Sequence, residues 1–358
     1  MKYLAIVAAD LHLRPYTWVS HPGIAGDAYD SWHQVVDHAC FYNRPLILLG
    51  DIFDSPTPDP LSVEHWLDGL DKLAQHNLRL FYVQGNHEAV AAGMPAWASM
   101  SRAKNAIPLH NRVIMFDGVP VTGMDFQRSN TIEEVAAGLP DASICCAHQA
   151  WLEIQRVGST HGSIAHLLGK YELVMTGDYH VRKNIQVPAG KNSVLIHSPG
   201  STCLQSLAEP ADKFATLLGF EDGKFVLEDL ELKTRDFYMF EVSLSEDIDR
   251  IATTKLITTT DKMPIVRVKY AAEIPKAAER LHAAFASRSH LFLDELRQVS
   301  LQQVTVDNVE RITVPKAIDV LANDPALAAL AKQIVDCPAT QLPAFLTKAV
   351  QIDATPAN

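Results

Sequence analysis

The sequence predicts an α/β fold, because short apolar strands alternate with amphipathic helices from the N-terminus to about residue 235. The clearest strand is Leu46–Leu49, four aliphatic residues in a row that read as fully buried. Gly50 then allows the backbone to turn, and Asp51 follows at the end of the strand. Open α/β sheets place their chemistry at the carboxyl ends of strands, so the residues in such positions are the candidate site.

The elements of this region follow from periodicity and capping signals. A helix is predicted over residues 30–41, where apolar residues recur at helical spacing. Asp59 followed by Pro60 predicts a second helix start, and Thr131 with Glu134 has the spacing of a capping box. Strands are predicted at residues 3–9, 46–49, 80–83, 143–147, 173–176 and 194–197. Hairpins are predicted around Asp117-Gly118 and Asp222-Gly223.

After residue 235 the pattern changes to a small α+β unit without clusters of catalytic polar residues. Its predicted strands cover residues 237–244, 265–270 and 291–296, and its predicted helices cover residues 247–254 and 275–286. Beyond it, residues 315–350 are rich in alanine and leucine at helical spacing. The expected domains are therefore residues 1–235, residues 236–300 and a helical tail over residues 301–358.

Composition limits the function and the compartment. The net charge of −11 argues against a protein that binds phosphate backbones by charge alone, so metal ions or a partner would have to supply the attraction. Five scattered cysteines without a CxxC pair suit a reducing compartment. The apolar run over residues 3–9 is too short for a signal peptide, and none approaches the ~20 residues of a membrane span. A cytoplasmic protein is expected.

Polar motifs follow the predicted strands in the order DLH, GDIFD, GNHE, AHQ and GDYH. Any one of them has a plain structural explanation, such as a strand exit, a capped turn or a hydrogen-bonded histidine. Their joint occurrence favours a metal centre, because aspartate, asparagine and neutral histidine are ligands for hard to borderline divalent ions. Seven ligands suggest two ions, and they are Asp10, His12, Asp51, Asn86, His148, Asp178 and His180.

The five motifs together resemble the calcineurin-like metallophosphoesterase superfamily over roughly residues 1–235. Within it, the chain looks most like the SbcD-type DNA repair exonuclease branch, which includes phage relatives that serve as recombination endonuclease subunits. This resemblance implies a sandwich of two mixed sheets flanked by helices and a pair of divalent metal ions. Mn²⁺ is the expected metal, with Mg²⁺, Fe²⁺ and Zn²⁺ as the alternatives.

The resemblance also implies roles for individual residues. One ion would be held by four residues, which are Asp10, His12, Asp51 and His180. The other would share Asp51 and be completed by Asn86, His148 and Asp178. His87 would be the catalytic histidine, which stabilises the transition state or protonates the leaving oxygen. Asp54 and Glu88 are expected to orient ligands or fix loops, with solvated carboxylates as the alternative.

One motif departs from the family pattern. The family usually has GHxH at the last motif, whereas this chain has Gly177-Asp178-Tyr179-His180. Aspartate can still bind a metal, and as a harder, anionic ligand it favours Mn²⁺ or Mg²⁺. No motif in the sequence links four other histidines to the site, and they are expected to be structural or exposed. These are His21, His110, His161 and His197.

Three functions compete at this level. The first is a DNA exonuclease or endonuclease subunit with an SbcC-like ATPase partner. The second is another metallophosphoesterase, either a phosphoprotein phosphatase or a cyclic-nucleotide phosphodiesterase, and the third is a non-catalytic DNA-binding member of the fold. Phosphoprotein phosphatases carry Arg-Gly after the second motif, where this chain has Ser55-Pro56.

The residues after 235 also bear on the choice between these functions. Small phosphodiesterases usually stop soon after the catalytic core. By layout alone, residues 236–300 match the capping domain that guides DNA in SbcD-like nucleases, with an unrelated accessory domain as the alternative. The tail either docks on the ATPase or packs on its own core. Assembly as a homodimer is a further expectation.

Overall fold

Two six-stranded mixed sheets form the centre of the computed structural model, which describes residues 1–88, 105–155, 161–190 and 192–296. The strand order in the first sheet is β12-β11-β1-β2-β3-β4, with bounds Lys224–Leu232, Lys213–Glu221, Lys2–Ala8, Leu46–Leu49, Leu80–Val83 and Ala106–Pro108. Strands β1 to β4 are parallel, and the hairpin β11–β12 adds to β1 in the antiparallel direction.

The second sheet has a parallel centre with one antiparallel strand at each edge. Its strand order is β5-β6-β7-β8-β10-β9, with bounds Ile114–Phe116, Val119–Met124, Ile144–His148, Leu173–Gly177, Asn192–Ser198 and Lys183–Ala189. The predicted hairpin at Asp117-Gly118 joins β5 to β6, and both turn residues have the positive φ that a primed two-residue turn requires.

The two sheets pack face to face through one apolar layer. Leu4, Val7 and Ile47 from the first sheet lie in the same buried cluster as Ile144 and Met175 from the second. A strand that is covered by other elements on both faces has apolar residues at consecutive positions. This explains why β2 consists of four aliphatic residues. The arrangement places the carboxyl ends of the parallel strands of both sheets where their polar motifs can meet.

Helices cover the outer face of each sheet. On the first sheet, α1 (Asp27–Tyr42) and α2 (Pro60–Gln75) pack through Trp32 and Trp66, whose rings stack 5.0 Å apart. The predicted Asp59 cap is confirmed, since its carboxylate accepts the amide of Leu61. On the second sheet, the outer cluster is covered by α3 (Ile132–Gly138) and a 3₁₀ helix (Ile164–Leu167).

The capping box predicted at the start of α3 is wrong. The side chain of Thr131 caps no amide of the helix. Its hydroxyl donates instead to the carbonyl of Arg128, 3.0 Å away, because the backbone of Thr131 is already helical rather than extended.

A third, three-stranded parallel sheet follows residue 235. Its strands β13 (Phe237–Val242), β14 (Ile265–Ala271) and β15 (His290–Leu296) are joined through α4 (Ser245–Ala252) and α5 (Ala277–Phe285). The helices bury the face that carries Val266 and Val268. Each predicted strand and helix of this region is present, and every predicted end lies within two residues of the observed one.

Contacts join this third sheet to the rest of Met1–Leu296, which forms one unit. Arg235 donates two hydrogen bonds of 2.9 Å to the buried carboxylate of Asp27. The loop over residues 14–26 contributes Trp18, whose ring meets that of Phe292 at 5.4 Å. The predicted boundary near residue 235 stays a prediction, and the predicted tail, residues 301–358, lies outside the described residues.

The predicted fold class, an α/β sandwich of mixed sheets flanked by helices, is confirmed. Within the described part of the chain, no helix is both long enough and apolar enough to cross a membrane.

Candidate metal centre

Four candidate ligands lie at strand ends in a left-handed backbone conformation. The φ angles of Asp10, His12, Asp51 and Asp178 are 51°, 46°, 48° and 74°. Such angles are unusual for residues other than glycine and persist only where the surroundings hold them. Here the amide of Asp10 donates to the carbonyl of Gly50, and the amide of His12 donates to the carbonyl of Asp51, 2.9 Å away. The first two motifs thereby fix each other's geometry.

Glycines in the motifs permit close approach between chains. A Cβ atom at Gly85 would lie 1.9 Å from Oδ1 of Asp51, and one at Gly177 would lie 2.2 Å from the carbonyl oxygen of Leu49. Neither position has room for a side chain, since real Cβ atoms do not approach below 3.0 Å. The GNHE and GDYH motifs therefore need glycine so that the polar side chains can converge.

Asp51 lies at the centre of the cluster and is 1% exposed. Its Oδ2 lies 3.6 Å from Nε2 of His12, and its Oδ1 lies 3.4 Å from Nε2 of His148. The two oxygens of one carboxylate thus face two different sets of ligands. Burial alone would raise the pKa of Asp51, but the His148 and His12 rings hold it well below its ordinary value.

The first set consists of Asp10, His12 and His180, whose ligand atoms all lie within 4.8 Å of one another. Nε2 of His12 and Nε2 of His180 are 3.3 Å apart. Nδ1 of His180 donates a hydrogen bond to Oε1 of Glu209 at 3.0 Å. In the neutral ring, Nε2 is then unprotonated, and its lone pair is directed at His12. Two such nitrogens and a carboxylate form a compact pocket for a cation.

The second set is built around His148, which is fully buried. Its Nδ1 donates to the carbonyl of Leu49 at 2.7 Å, and its Nε2 lies 2.8 Å from Oδ1 of Asn86. Burial alone would lower the pKa of His148, but the Asp51 and Asp10 carboxylates raise it well above its ordinary value. The surroundings of this nitrogen therefore favour a positive charge.

Asp178 lies at the margin of the second set. Its Oδ1 is 3.9 Å from Nε2 of His148, and its amide donates to Oδ1 of Asp10 at 2.9 Å. Its other oxygen, Oδ2, lies 3.0 Å from Nδ1 of His161. The structure therefore brings Asp178 to the ligands, although it belongs to none of the tight three-residue groups.

The residues present fit divalent metal ions. Oδ2 of Asp10, Nδ1 of His12 and Oδ2 of Asp178 are buried and have no hydrogen-bond partner. Buried polar atoms are rarely left without partners, and three of the eight such atoms in the described residues belong to the predicted ligand set. Oxygen and imidazole donors of this kind suit Mn²⁺, Mg²⁺, Fe²⁺ or Zn²⁺.

His87 is the most exposed histidine of the cluster, with 39% of its side chain accessible. Its Nδ1 donates to the carbonyl of Asp54 at 2.9 Å, and its amide donates to Oδ1 of Asp51 at 3.0 Å. Its Nε2 lies 3.9 Å from Oδ2 of Asp51. The ring is thus fixed at one nitrogen and presents the other at the open side of the centre.

Two carboxylates hold the motifs in place. Glu88 accepts the amides of Asp51, Phe53 and Gly85 at 2.8–3.1 Å, which ties the GDIFD loop to the GNHE turn. Burial and the nearby charge of Asp51 raise the pKa of Glu88 to about 8. Asp54 accepts from Arg14 at 2.6 Å and lies 3.3 Å from Nδ1 of His12. The sequence-based expectation that these two residues fix loops and ligands agrees with these contacts.

Two further residues at the site were missed in the sequence. Glu209 is buried, holds His180 and forms an ion pair of 2.7 Å with Lys213. Burial alone would raise the pKa of Glu209, but His180 and Lys213 lower it to about 2. The other residue is His161, which lies against Asp178.

The structure thus brings all eight predicted site residues to one edge of the sandwich. The ligand and catalytic roles assigned to them stay predictions. Among the histidines that the sequence did not assign to the site, His197 is buried between Asn184 and Thr216, apart from the cluster.

A fold of two mixed sheets with aspartate, asparagine and histidine converging at the strand ends is typical of metallophosphoesterases. The family model described as calcineurin-like phosphoesterase matches residues 4–182, half of the chain, and the chain belongs to that family. The predicted superfamily is confirmed.

Among solved structures, the chain is similar to wild-type Vps29 of Entamoeba histolytica, crystallised with Zn²⁺. The likeness covers 64% of this chain and 98% of that chain, at 13% identity and a TM-score of 0.30. None of the curated proteins matches this chain.

Proposed function

We propose that this chain is a metal-dependent DNA nuclease subunit that hydrolyses phosphodiester bonds with two divalent ions. The observation that carries the proposal is Asp51, whose two oxygens face the His12 and His148 sides of the centre at 3.6 and 3.4 Å. One carboxylate between two ligand sets is the arrangement that two-metal phosphoryl transfer needs.

The proposed roles follow from the contacts. Asp10, His12 and His180 would hold one ion, and Asn86, His148 and Asp178 would hold the other, with Asp51 shared. Bound divalent ions would polarise the phosphodiester and activate the attacking water. His87, whose side chain is partly exposed, would place its Nε2 at the phosphoryl group, where it would stabilise the transition state or donate a proton to the leaving oxygen.

DNA is the proposed substrate for two reasons. The first is the resemblance of the five motifs to the SbcD-type branch. The second is the third sheet, because the loop that follows His12 runs to it and packs Trp18 against Phe292. A module held by the loop next to the first ligands can guide a long substrate to the centre. With a net charge of −11, the chain needs help from metals and from a partner, which we propose to be an SbcC-like ATPase.

The test is a nuclease assay of the full chain on linear single- and double-stranded DNA with Mn²⁺, with and without an SbcC-like ATPase. Parallel reactions contain bis(p-nitrophenyl) phosphate, a phosphomonoester, a cyclic nucleotide and a phosphopeptide. We expect DNA and the small phosphodiester to be cleaved, and DNA cleavage to increase with the ATPase. Asp51→Asn serves as the inactive control.

Each other outcome supports a different function. Cleavage of the phosphopeptide or the cyclic nucleotide, with intact DNA, would indicate one of the other metallophosphoesterases. Metal binding without hydrolysis of any of these substrates would indicate a non-catalytic member of the fold.

A further inference from the structure

A buried lysine is joined to the first ligand set through Glu209. Lys213 is the first residue of β11, and only 3% of its side chain is exposed. Its Nζ donates to Oε2 of Glu209 at 2.7 Å and to Oγ of Ser201 at 2.8 Å. An ammonium group in the interior needs such partners, because an unpaired buried charge is costly. The three side chains therefore form one connected group.

The two oxygens of the Glu209 carboxylate have separate partners. Oε2 accepts from Nζ of Lys213, from the hydroxyl of Ser201 at 2.9 Å and from the amide of Gln205 at 3.2 Å. Oε1 accepts from Nδ1 of His180 at 3.0 Å. The carboxylate cannot turn about its Cγ–Cδ bond without losing the donors on Oε2. These donors therefore keep Oε1 directed at the histidine ring.

Ser201 is itself fixed to the segments that carry two residues of the first set. Its amide donates to the carbonyl of His180 at 3.2 Å. Its backbone also forms an isolated parallel bridge with Ala9, the residue before Asp10. The hydroxyl that holds Glu209 thus has a defined place relative to both ligands.

We propose that Lys213 and Ser201 are positioning residues, which hold Glu209 so that it orients the His180 ring for a divalent ion. This inference rests on the metal-binding part of the proposed function and not on the substrate. Loss of a group that orients a metal-binding histidine typically costs 10–100-fold in metal affinity. Lys213 acts one contact further from the ion than Glu209, so its loss should have an effect at the lower end of this range.

The test is calorimetric titration of the metal-free full chain with MnCl₂. We expect the unaltered protein to bind two ions. In Lys213→Met, one site should weaken by about 10-fold, because Oε2 of Glu209 loses its cation, and the other site should keep its affinity. Ser201→Ala removes a neutral donor from the same oxygen and should weaken the same site by a few-fold.

A double-mutant cycle distinguishes positioning from a general loss of structure. Glu209→Gln removes the carboxylate through which Lys213 is proposed to act. Adding Lys213→Met to Glu209→Gln should therefore cause no further loss of affinity at that site. A loss that persists in full in the Glu209→Gln background would show that the lysine acts by another route, and it overturns the inference.

The matched control is Lys170→Met. Nζ of Lys170 donates to three backbone carbonyls at the end of α3, those of Ala136, Ala137 and Leu139, at 3.0–3.3 Å. None of these residues is a predicted ligand. This variant also loses a lysine with several hydrogen bonds, but it should bind both ions like the unaltered protein.

The remaining outcomes separate this inference from the proposed function. Two-site binding by Lys213→Met and Ser201→Ala that equals that of the unaltered protein overturns the positioning role and leaves the two-metal centre intact. An equal loss at both sites overturns it as well. Failure of the unaltered protein to bind two ions overturns both proposals. If Lys213→Met does not fold, as judged by circular dichroism, Ser201→Ala decides, because it leaves no buried charge unpaired.

Discussion

Nε2 of His12 and Nε2 of His180 face each other at 3.3 Å, although the two residues come from different sheets of the sandwich. Because Nδ1 of His180 donates a hydrogen bond to Glu209, Nε2 of the neutral ring carries a lone pair. Two imidazole lone pairs at this distance repel each other unless a proton or a metal ion lies between them. This relationship makes the tautomer of His180, and therefore Glu209, a condition for binding at the first set.

Glu209→Gln should weaken metal binding at the first set by about 10–100-fold. The glutamine amide would face Nδ1 of His180 with a donor, so the ring proton would move to Nε2 and block the lone pair that the metal needs. Calorimetric titration with Mn²⁺ measures the change. Glu228→Gln is the control, because Glu228 lies on β12 and its carboxylate accepts from Tyr3 rather than from a predicted ligand, and it should titrate like the unaltered protein. Equal affinities in both variants would contradict the prediction.

Asp51→Asn should weaken the binding of both metal ions, whereas Asn86→Ala should weaken the binding of only one. The reason is that Asp51 faces both ligand sets, while Asn86 contacts only His148 among the candidate ligands. The metal content after gel filtration, measured by plasma mass spectrometry, distinguishes two lost ions from one. Asp229→Asn removes a carboxylate paired with Arg182 at the surface and should leave two ions bound. Loss of a single ion in Asp51→Asn would show that this carboxylate serves one site.

His87→Gln should lower the turnover number by about 10²–10⁴-fold while the metal content stays unchanged. Its Nδ1 is held by a backbone carbonyl and 39% of its side chain is accessible, so the ring is available to substrate. Hydrolysis of bis(p-nitrophenyl) phosphate gives the rate, and mass spectrometry of the same samples gives the occupancy. A parallel fall of metal content and rate would make His87 a ligand, as its closeness to His12 and Asp54 also allows.

Acid should destabilise the fold through His197, whose pKa burial lowers from 6.5 to about 3. The unfolded chain binds a proton at this histidine below pH 6.5, and the folded protein does not until about pH 3. Stability is therefore lost as the pH falls through this window, by about 2 kcal/mol between pH 7 and pH 5. Urea unfolding at the two pH values measures it.

The comparison variant for this experiment is His197→Gln, whose difference between pH 7 and pH 5 should be smaller by that amount. His76→Gln alters an exposed histidine at the end of α2 and should behave like the unaltered protein. An equal pH dependence in all three proteins would show that His197 titrates normally in the fold.

The sequence was sufficient to predict which residues converge at the site, because the strand-end rule acts on local residues. Asp10, Asp51 and His148 each follow an apolar strand, and parallel strands bring such ends together whatever their distance along the chain. The hairpins were predictable for the same reason, since a two-residue turn sets its own pairing.

Glu209 and His161 could not be found in this way. Each contacts a predicted ligand that is distant in the chain, and neither lies at the end of a predicted strand. The pairing of β1 with β11 could not be predicted from local sequence either. Both strands are apolar, so their residues are compatible with a position in either sheet. The failed capping box at Thr131 shows that spacing alone does not set a backbone conformation.

The place of β1 in the first sheet has a consequence for synthesis of the protein. Ile6 pairs with Leu46 on one side and with Leu217 on the other, so the N-terminal strand receives its second neighbour only after most of the catalytic fold has been made. Pairing over such a separation closes slowly. A nascent chain therefore carries Asp10 and His12 on a strand with one open edge until the β11–β12 hairpin leaves the ribosome, and that edge is where misassembly with another chain would begin.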